Sequence, residues 1–234
     1  PLYIGYQAGQ STNFTGSIDQ VRIFDKAISS SEVTALYNET KNTTNTLQIL
    51  GDTSCIATYP FDGSSTDLSG NYSGTDTNIL YKYDATPTNV DFGIGGKTLY
   101  GARFNGSNSY VDLPLTSIFG GKNTLAVSFW FKTTTTARQR MFTDYAQSSR
   151  NCDITIDGGN IEIVTDYGST SDKHTTSSTY NDDNWHHIVV SINQSANQRT
   201  IYIDGLLVDS ITLPSQSWNG SGQKVTIGAF YSSS

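Results

Sequence analysis

The chain has 234 residues, enough for one large all-β domain or two small ones. Hydrophobic residues make up 35% and aromatics 12%, so a sizeable core can be built, much of it from Tyr and Phe, which suit pleated, half-buried surfaces. Only 15% of residues are charged and the net charge is −7, which excludes the basic stripe of a nucleic-acid binder and leaves an Asp-rich surface better suited to divalent cations.

No run reaches the ~20 apolar residues of a membrane span. Pro1-Leu2-Tyr3 opens the chain without a basic, apolar leader, so it reads as a piece of a longer or processed protein. Residues 2–6 are a short strand, and 7–13 a polar loop. Ile18, Val21 and Ile23 then mark a half-buried strand, followed by a capped helix over 30–38. Ser29-x-x-Glu32 is its capping box, and Val33, Leu36 and Tyr37 fall on one helical face. Residues 38–46 are polar and aperiodic, the signature of a linker.

A second body begins at Ile56–Phe61. The Asp62–Gly74 stretch is a loop dense in Asp, Ser, Gly and Asn. Strands follow at Ala102–Leu113 around a turn, at Leu125–Lys132, Arg140–Tyr145 and Asp153–Ile156. A hairpin turn at 157–160 leads into Ile161–Thr165. Trp185–Ile192, Arg199–Ile203, a tight Asp204-Gly205 turn and Val225–Ala229 complete the series. Short strands with a turn every ten or so residues argue a β-sandwich or jelly roll. Cys55 and Cys152 could pair or could be two separate buried thiols. The pattern apolar-x-Ile-Gly occurs at both ends, at Ile4-Gly5 and Ile227-Gly228.

A set of landmarks appears in a fixed order over residues 56–234. They are Tyr59-x-Phe61-Asp62-Gly63, Asp67-x-Ser69-Gly70-Asn71, Ala102-x-Phe104-Asn105-Gly106 and Tyr110-Val111-Asp112-Leu113. Val127-Ser128-Phe129-Trp130-Phe131, Trp185-His186-His187-Ile188 and Tyr202-x-Asp204-Gly205 continue it to Ile227-Gly228. This series resembles the laminin-G-like, pentraxin-like jelly rolls of the concanavalin A-type lectin/glucanase superfamily. The resemblance implies an all-β, two-sheet antiparallel jelly-roll sandwich with one short helix. Its closing motif, a strand and short helix, matches Gly16–Phe24 and Ser29–Asn38, yet here it comes first. Two arrangements follow. Residues 1–40 end a preceding repeat, 41–55 link, and 56–234 form a jelly roll lacking its own closing strand; or the chain is one permuted domain. The first is favoured, and it requires that 14–39 not pack on 56–61.

Asp62, Asp67 and Asn71 share one loop that can offer oxygens to a divalent cation, and the resemblance implies a structural Ca²⁺ between that loop and the closing strand, held by Asp67, backbone oxygens near Asn71 and Asp19. Such a cation needs 6–8 oxygen ligands; the alternative is that Asp62 and Asp67 are turn residues. Catalysis is not expected. Glycoside hydrolysis needs two carboxylates roughly 5–10 Å apart, and Glu32, Glu39 and Glu162 form no strand-borne pair, although a diverged hydrolase stands as an alternative. His186 and His187 point to opposite faces of a strand and cannot share a metal, and His174 stands alone in a Ser/Thr loop. Tyr145, Tyr167, Tyr180, Trp218 and Tyr231 lie near loops, where they offer platforms to a glycan or pack the loop bases. The expectation is a non-enzymatic extracellular module on a cell surface or virion. It recognises glycans or surface proteins beside neighbouring repeats, without nucleic acid; a purely structural filament repeat is the alternative.

Overall fold

Leu125, Val127, Phe129 and Phe131 are buried on one side of their strand, and Ala126, Ser128 and Trp130 on the other. That period of two, with both faces covered, sets the architecture. The computed structural model describes residues 2–4, 13–39, 48–62, 66–69, 75–77, 96–97, 101–107, 109–113, 124–146, 149–167, 170–193, 195–213 and 224–226. Its elements run β1 (Leu2–Ile4), β2 (Thr15–Phe24), α1 (Ser30–Tyr37), β3 (Cys55–Tyr59), β4 (Thr75–Thr77), β5 (Ala102–Asn105), β6 (Tyr110–Leu113) and β7 (Thr124–Lys132). They continue with β8 (Gln139–Ala146), β9 (Ser149–Asp157), β10 (Asn160–Tyr167), β11 (Thr170–Thr179), β12 (His186–Asn193), β13 (Gln198–Ile203), β14 (Leu206–Thr212) and β15 (Lys224–Thr226).

One sheet is ordered β14-β13-β12-β7-β2-β3, with β5 also pairing β2. A second is ordered β11-β10-β9-β8-β15, and a small third β1-β6-β4. The main core fills the space between the large sheets. Ile18, Ile23, Tyr59, Phe129, Ile188 and Ile201 meet Met141, Ile154, Ile156, Ile161 and Ile163 there, each contributing about 1.5–3 kcal/mol of apolar burial. These two antiparallel layers are the expected jelly-roll sandwich.

The closing strand lies inside this chain's own sheet. Val21 pairs with Tyr59, Arg22 with Thr58 and Ile23 with Ala57, while Thr15–Ile18 pair with Asn105–Ala102. On its other edge β2 pairs with β7. The reading that keeps 14–39 apart from 56–61 is therefore overturned, because β2 is an interior strand with a ladder on each side. β3 begins at Cys55, and Ile49 and Leu50 pack on the helix cluster, so part of the expected linker is structured. Gly16 is required here. At φ 149° a Cβ would sit 2.3 Å from the Lys132 carbonyl oxygen, so only glycine lets β2 lie this close to β7.

The helix forms as the sequence predicts. The Glu32 amide donates to Ser29 Oγ at 3.4 Å, and the Ser29 amide to Glu32 Oε2 at 2.7 Å. Eight residues are too few for a stable isolated helix, so packing holds it. Val33 and Leu36 press with Phe24, Ile28 and Cys55 onto Ala126, Val189 and Tyr202, on the outer face of the seven-stranded sheet. Lys26 Nζ adds ion pairs to Glu32 and Asp52, both at 2.5 Å. Cys55 lies in this outer cluster and Cys152 in the main core, and both are free thiols. Burial raises the Cys55 thiol above its ordinary range.

One expectation shifts: His174 sits in β11 rather than a loop. Gly5, Ile227 and Gly228 lie outside the described residues; the neighbouring backbones of β1 and β15 pair with β6 and β8 respectively.

Candidate functional site

The outer face of β2, β7 and β12 carries a buried polar cluster. Alternation places Arg22, Ser128, Trp130 and His187 on this face. The chain leaving α1 then lowers Glu39 onto them. Arg22 Nη1 and Glu39 Oε2 are 2.6 Å apart, both side chains fully buried. The indole of Trp130 donates to Glu39 Oε1 at 2.9 Å, and Arg22 Nη2 donates to Gln20 Oε1 at 2.9 Å. Tyr37 stacks on Trp130 with centroids 5.4 Å apart, and Lys97 Nζ lies 4.1 Å from the same ring system. Burial pushes the Glu39 carboxyl up, against the pull of Arg22 and Trp130. Burial, with the nearby Arg22 and Lys97 charges, lowers His187 to about 3. That ring is therefore neutral at ordinary pH, with Nε2 2.8 Å from Ser128 Oγ. The cluster ties helix to sheet and is closed to ligands.

Of the residues expected to hold calcium, Asp19, Asp62 and Asp67 are described. Asp19 is buried in β2, where its Oδ2 accepts from the Lys97 amide at 2.7 Å. Asp67 Oδ1 accepts from the Thr58 amide at 2.9 Å and the Ser69 amide at 3.2 Å, and Oδ2 accepts from the Ser69 hydroxyl. It is an Asx-type staple joining its loop to β3, its oxygens facing hydrogen-bond donors. Asp62 is described and half-buried; Asn71 lies outside the described residues. Among the described residues no three His, Cys, Asp or Glu side chains converge.

The glutamates are committed elsewhere. Glu32 caps the helix and Glu39 pairs with Arg22. Glu162 pairs with Arg138 and Lys173, and despite its burial these cations hold its carboxyl low.

His186 is the opposite of its neighbour. On the inner side of β12 it packs against Phe131 and Tyr180. Its Nδ1 lies 2.8 Å from Asp204 Oδ2 and its Nε2 2.9 Å from Asp182 Oδ1. Burial pulls its pKa down, but the two carboxylates together outweigh that and raise it. A raised folded pKa gives stability that is complete below the unfolded value of about 6.5 and is lost as pH rises through the folded one. The melting temperature should therefore fall on going from pH 6 to above that folded value, by the equivalent of about 1 kcal/mol. His186→Gln should flatten the profile, and a slope that survives the substitution would assign the effect elsewhere. Asp182 is 53% exposed, so Asp204 carries most of the effect.

Of the aromatic platforms, Tyr180 is placed at a cleft. The cleft measures ≈ 380 Å³ and is walled by His174, Thr175, Thr176, Ser177, Ser178 and Val208. Tyr180 is half-buried and edge-on to His186, with centroids 5.1 Å apart. The wall is fixed: Thr176 Oγ1 accepts from the Ile161 amide at 3.0 Å, and Asn160 Nδ2 donates to the Thr176 carbonyl at 2.8 Å. Tyr145 and Tyr167 occupy β8 and β10, with side chains outside the described set; Trp218 and Tyr231 lie outside the described residues altogether. A cleft of ≈ 270 Å³ lies on the outer face by β12–β14, and one of ≈ 200 Å³ lies beside Gly16, Arg103 and Lys132. Sequence reasoning missed Thr176 and Ser178, whose Ser/Thr run carries no apolar period to mark a strand.

The family profile for the concanavalin A-like lectin/glucanases superfamily, in its laminin G form, matches residues 105–234. The chain belongs to this superfamily. No curated protein matches it. Among solved structures, domains LG4-5 of the mouse laminin α1 chain are 14% identical, with 48% of this chain and 29% of that one covered at a TM-score of 0.40. The binding domain of botulinum neurotoxin DC in complex with rat synaptotagmin II is 14% identical, with 69% and 41% covered at 0.46. A structure of botulinum neurotoxin type C, whose cell entry depends on interaction with two ganglioside molecules, is 15% identical, with 70% and 39% covered at 0.46. The chain spans under half the length of each. No helix among the described residues is long and apolar enough to cross a membrane.

Proposed function

We propose that this superfamily domain is a non-enzymatic recognition module that binds glycans, working in an extracellular, adhesive setting at a cell surface or virion. The observation that carries the reading is the Tyr180 cleft. A half-exposed aromatic residue stands beside hydroxyls of Thr175, Ser177 and Ser178 and the His174 imidazole, and among the described residues no carboxylate lines the cleft. An aromatic platform ringed by hydroxyls suits the apolar face and hydroxyl edge of a sugar. Catalysis has no corresponding support, since Glu32, Glu39 and Glu162 are held in a cap and two ion pairs. The reading routes nothing through calcium. Protein partners and neighbouring repeats of the same protein are further partners in this proposal.

A glycan array probed with the full chain tests it. Binding should appear, and Tyr180→Ala should weaken it about tenfold, the equivalent of ~1.4 kcal/mol, measured where the variant, which loses its packing on His186, is still fully folded. Absence of binding at millimolar sugar would favour a structural repeat that builds filament length.

A further inference from the structure

The outer face of the seven-stranded sheet is covered by α1 over β2, β7 and part of β12, but beyond Tyr202 the cover ends. There the strand registers place Ser191 opposite Thr200 and Thr200 opposite Ser210. One row of hydroxyls thus crosses three strands, roughly 10 Å at ~4.8 Å per strand. Asn193 and Gln198 form the next row, and Tyr202 with Leu207 the row before. The segment Ala27–Ser29, entering the helix, walls one side, and the enclosed cleft is ≈ 270 Å³.

Much of the polar capacity here is unspent. The Ser191 hydroxyl accepts from the Ile28 amide at 2.9 Å, leaving its own proton to donate. Asn193 Oδ1 accepts from the Ala196 amide, leaving Nδ2, and Gln198 Nε2 donates to Ser210, leaving Oε1. Among the described residues no charged side chain lines the cleft. Leu207, 56% exposed, and the edge of buried Tyr202 supply an apolar strip beside the hydroxyls. Water satisfies an ordinary polar sheet face, but it has no use for an apolar strip set against alternating donors and acceptors in a concavity. Those are the features of a neutral polyol.

We propose that this outer cleft is a second binding subsite, taking a neutral oligosaccharide of about two sugar units laid along the Ser191–Thr200–Ser210 row. It deepens the glycan-binding reading and lies apart from the Tyr180 cleft: Leu207 and Ser210 of β14 line this one, and Val208 the other.

Saturation-transfer NMR on the full chain, with cellotetraose, maltotetraose and chitotetraose as probes, tests the subsite. At least one should show transfer that falls about tenfold in affinity on Thr200→Val or Gln198→Ala, with melting unchanged, and that persists in Tyr180→Ala. A glucuronate oligomer should gain nothing from the site. Ser210→Ala, at an exposed edge position, provides a variant safe for folding. The proposal is overturned if none of the three probes shows transfer, or if transfer survives all three outer-cleft substitutions. Transfer lost only in Tyr180→Ala would uphold the first cleft and remove the second.

Discussion

Replacing Arg22 with Met should destabilise the protein by about 3–5 kcal/mol, the cost of stripping one partner from a buried ion pair. Both side chains are fully buried, and Glu39 would keep the Trp130 indole, 2.9 Å away, as its hydrogen-bond donor. The loss should depend on pH with a definite sign. Burial already raises the Glu39 carboxyl, and without the guanidinium it rises further. A carboxyl raised in the folded state binds a proton that the unfolded chain releases. Stability of the variant therefore falls as pH climbs from the unfolded value, about 4.3, through the folded one. The difference from the parent should be largest at neutral pH and shrink toward pH 4. The double substitution Arg22→Met, Glu39→Gln should cost less than the single one, because the amide oxygen still accepts from Trp130 and no charge is left buried. Urea unfolding across pH measures all three proteins. A single-variant loss below about 1 kcal/mol at pH 7, no more than one ordinary hydrogen bond accounts for, would show that the pair does not fasten the helix to the sheet.

That pair also marks the limit of what the sequence discloses. The capping box, the apolar strand at Leu125–Lys132 and the turn at 157–160 are local patterns, and each forms as written. Arg22 and Glu39 meet only because the helix folds back across the sheet, and no spacing rule announces it. A lone Arg at an outward position of an apolar strand, with a Glu just past the following helix, is the one available hint. β11 was illegible for another reason. Its Ser/Thr, Lys and Asp residues lack apolar alternation because it is an edge strand, paired on one side with β10 and largely exposed; Thr favours the extended state without marking a core face. The closing motif was legible as an element, whereas its partner strand was not: order along the chain says nothing about which sheet accepts it. Tyr180 could be picked out as a loop-side aromatic, but its cleft depends on β11 and β14, one unread and the other read only as the segment after a turn.

The same edge carries the second large prediction. β11 and β14 are the outer strands of opposing sheets, and Arg199, fully buried on β13, ties them together. Its Nη1 donates to Thr165 Oγ1 on β10 at 2.8 Å, while Nη2 reaches Asp172 on β11 at 2.8 Å and Asp209 on β14 at 3.0 Å. Arg199→Ala should cost about 2–4 kcal/mol, somewhat less than the loss at Arg22. Asp172 is 37% exposed and can rehydrate once its partner is gone, which discounts that contact. Arg199→Lys should recover less than half of the loss, since a single ammonium cannot serve a hydroxyl and two carboxylates in a planar fork. The effect should be local before it is global. Hydrogen exchange of β11 and β14 amides should accelerate in Arg199→Ala while the interior β7 amides keep their protection relative to global stability. Because His174 and Val208 flank Asp172 and Asp209 in sequence and wall the Tyr180 cleft, sugar binding there should weaken along with the edge. Uniform acceleration across both sheets, with binding at Tyr180 intact, would mean that Arg199 stabilises the sandwich as a whole and leaves the cleft to shape itself.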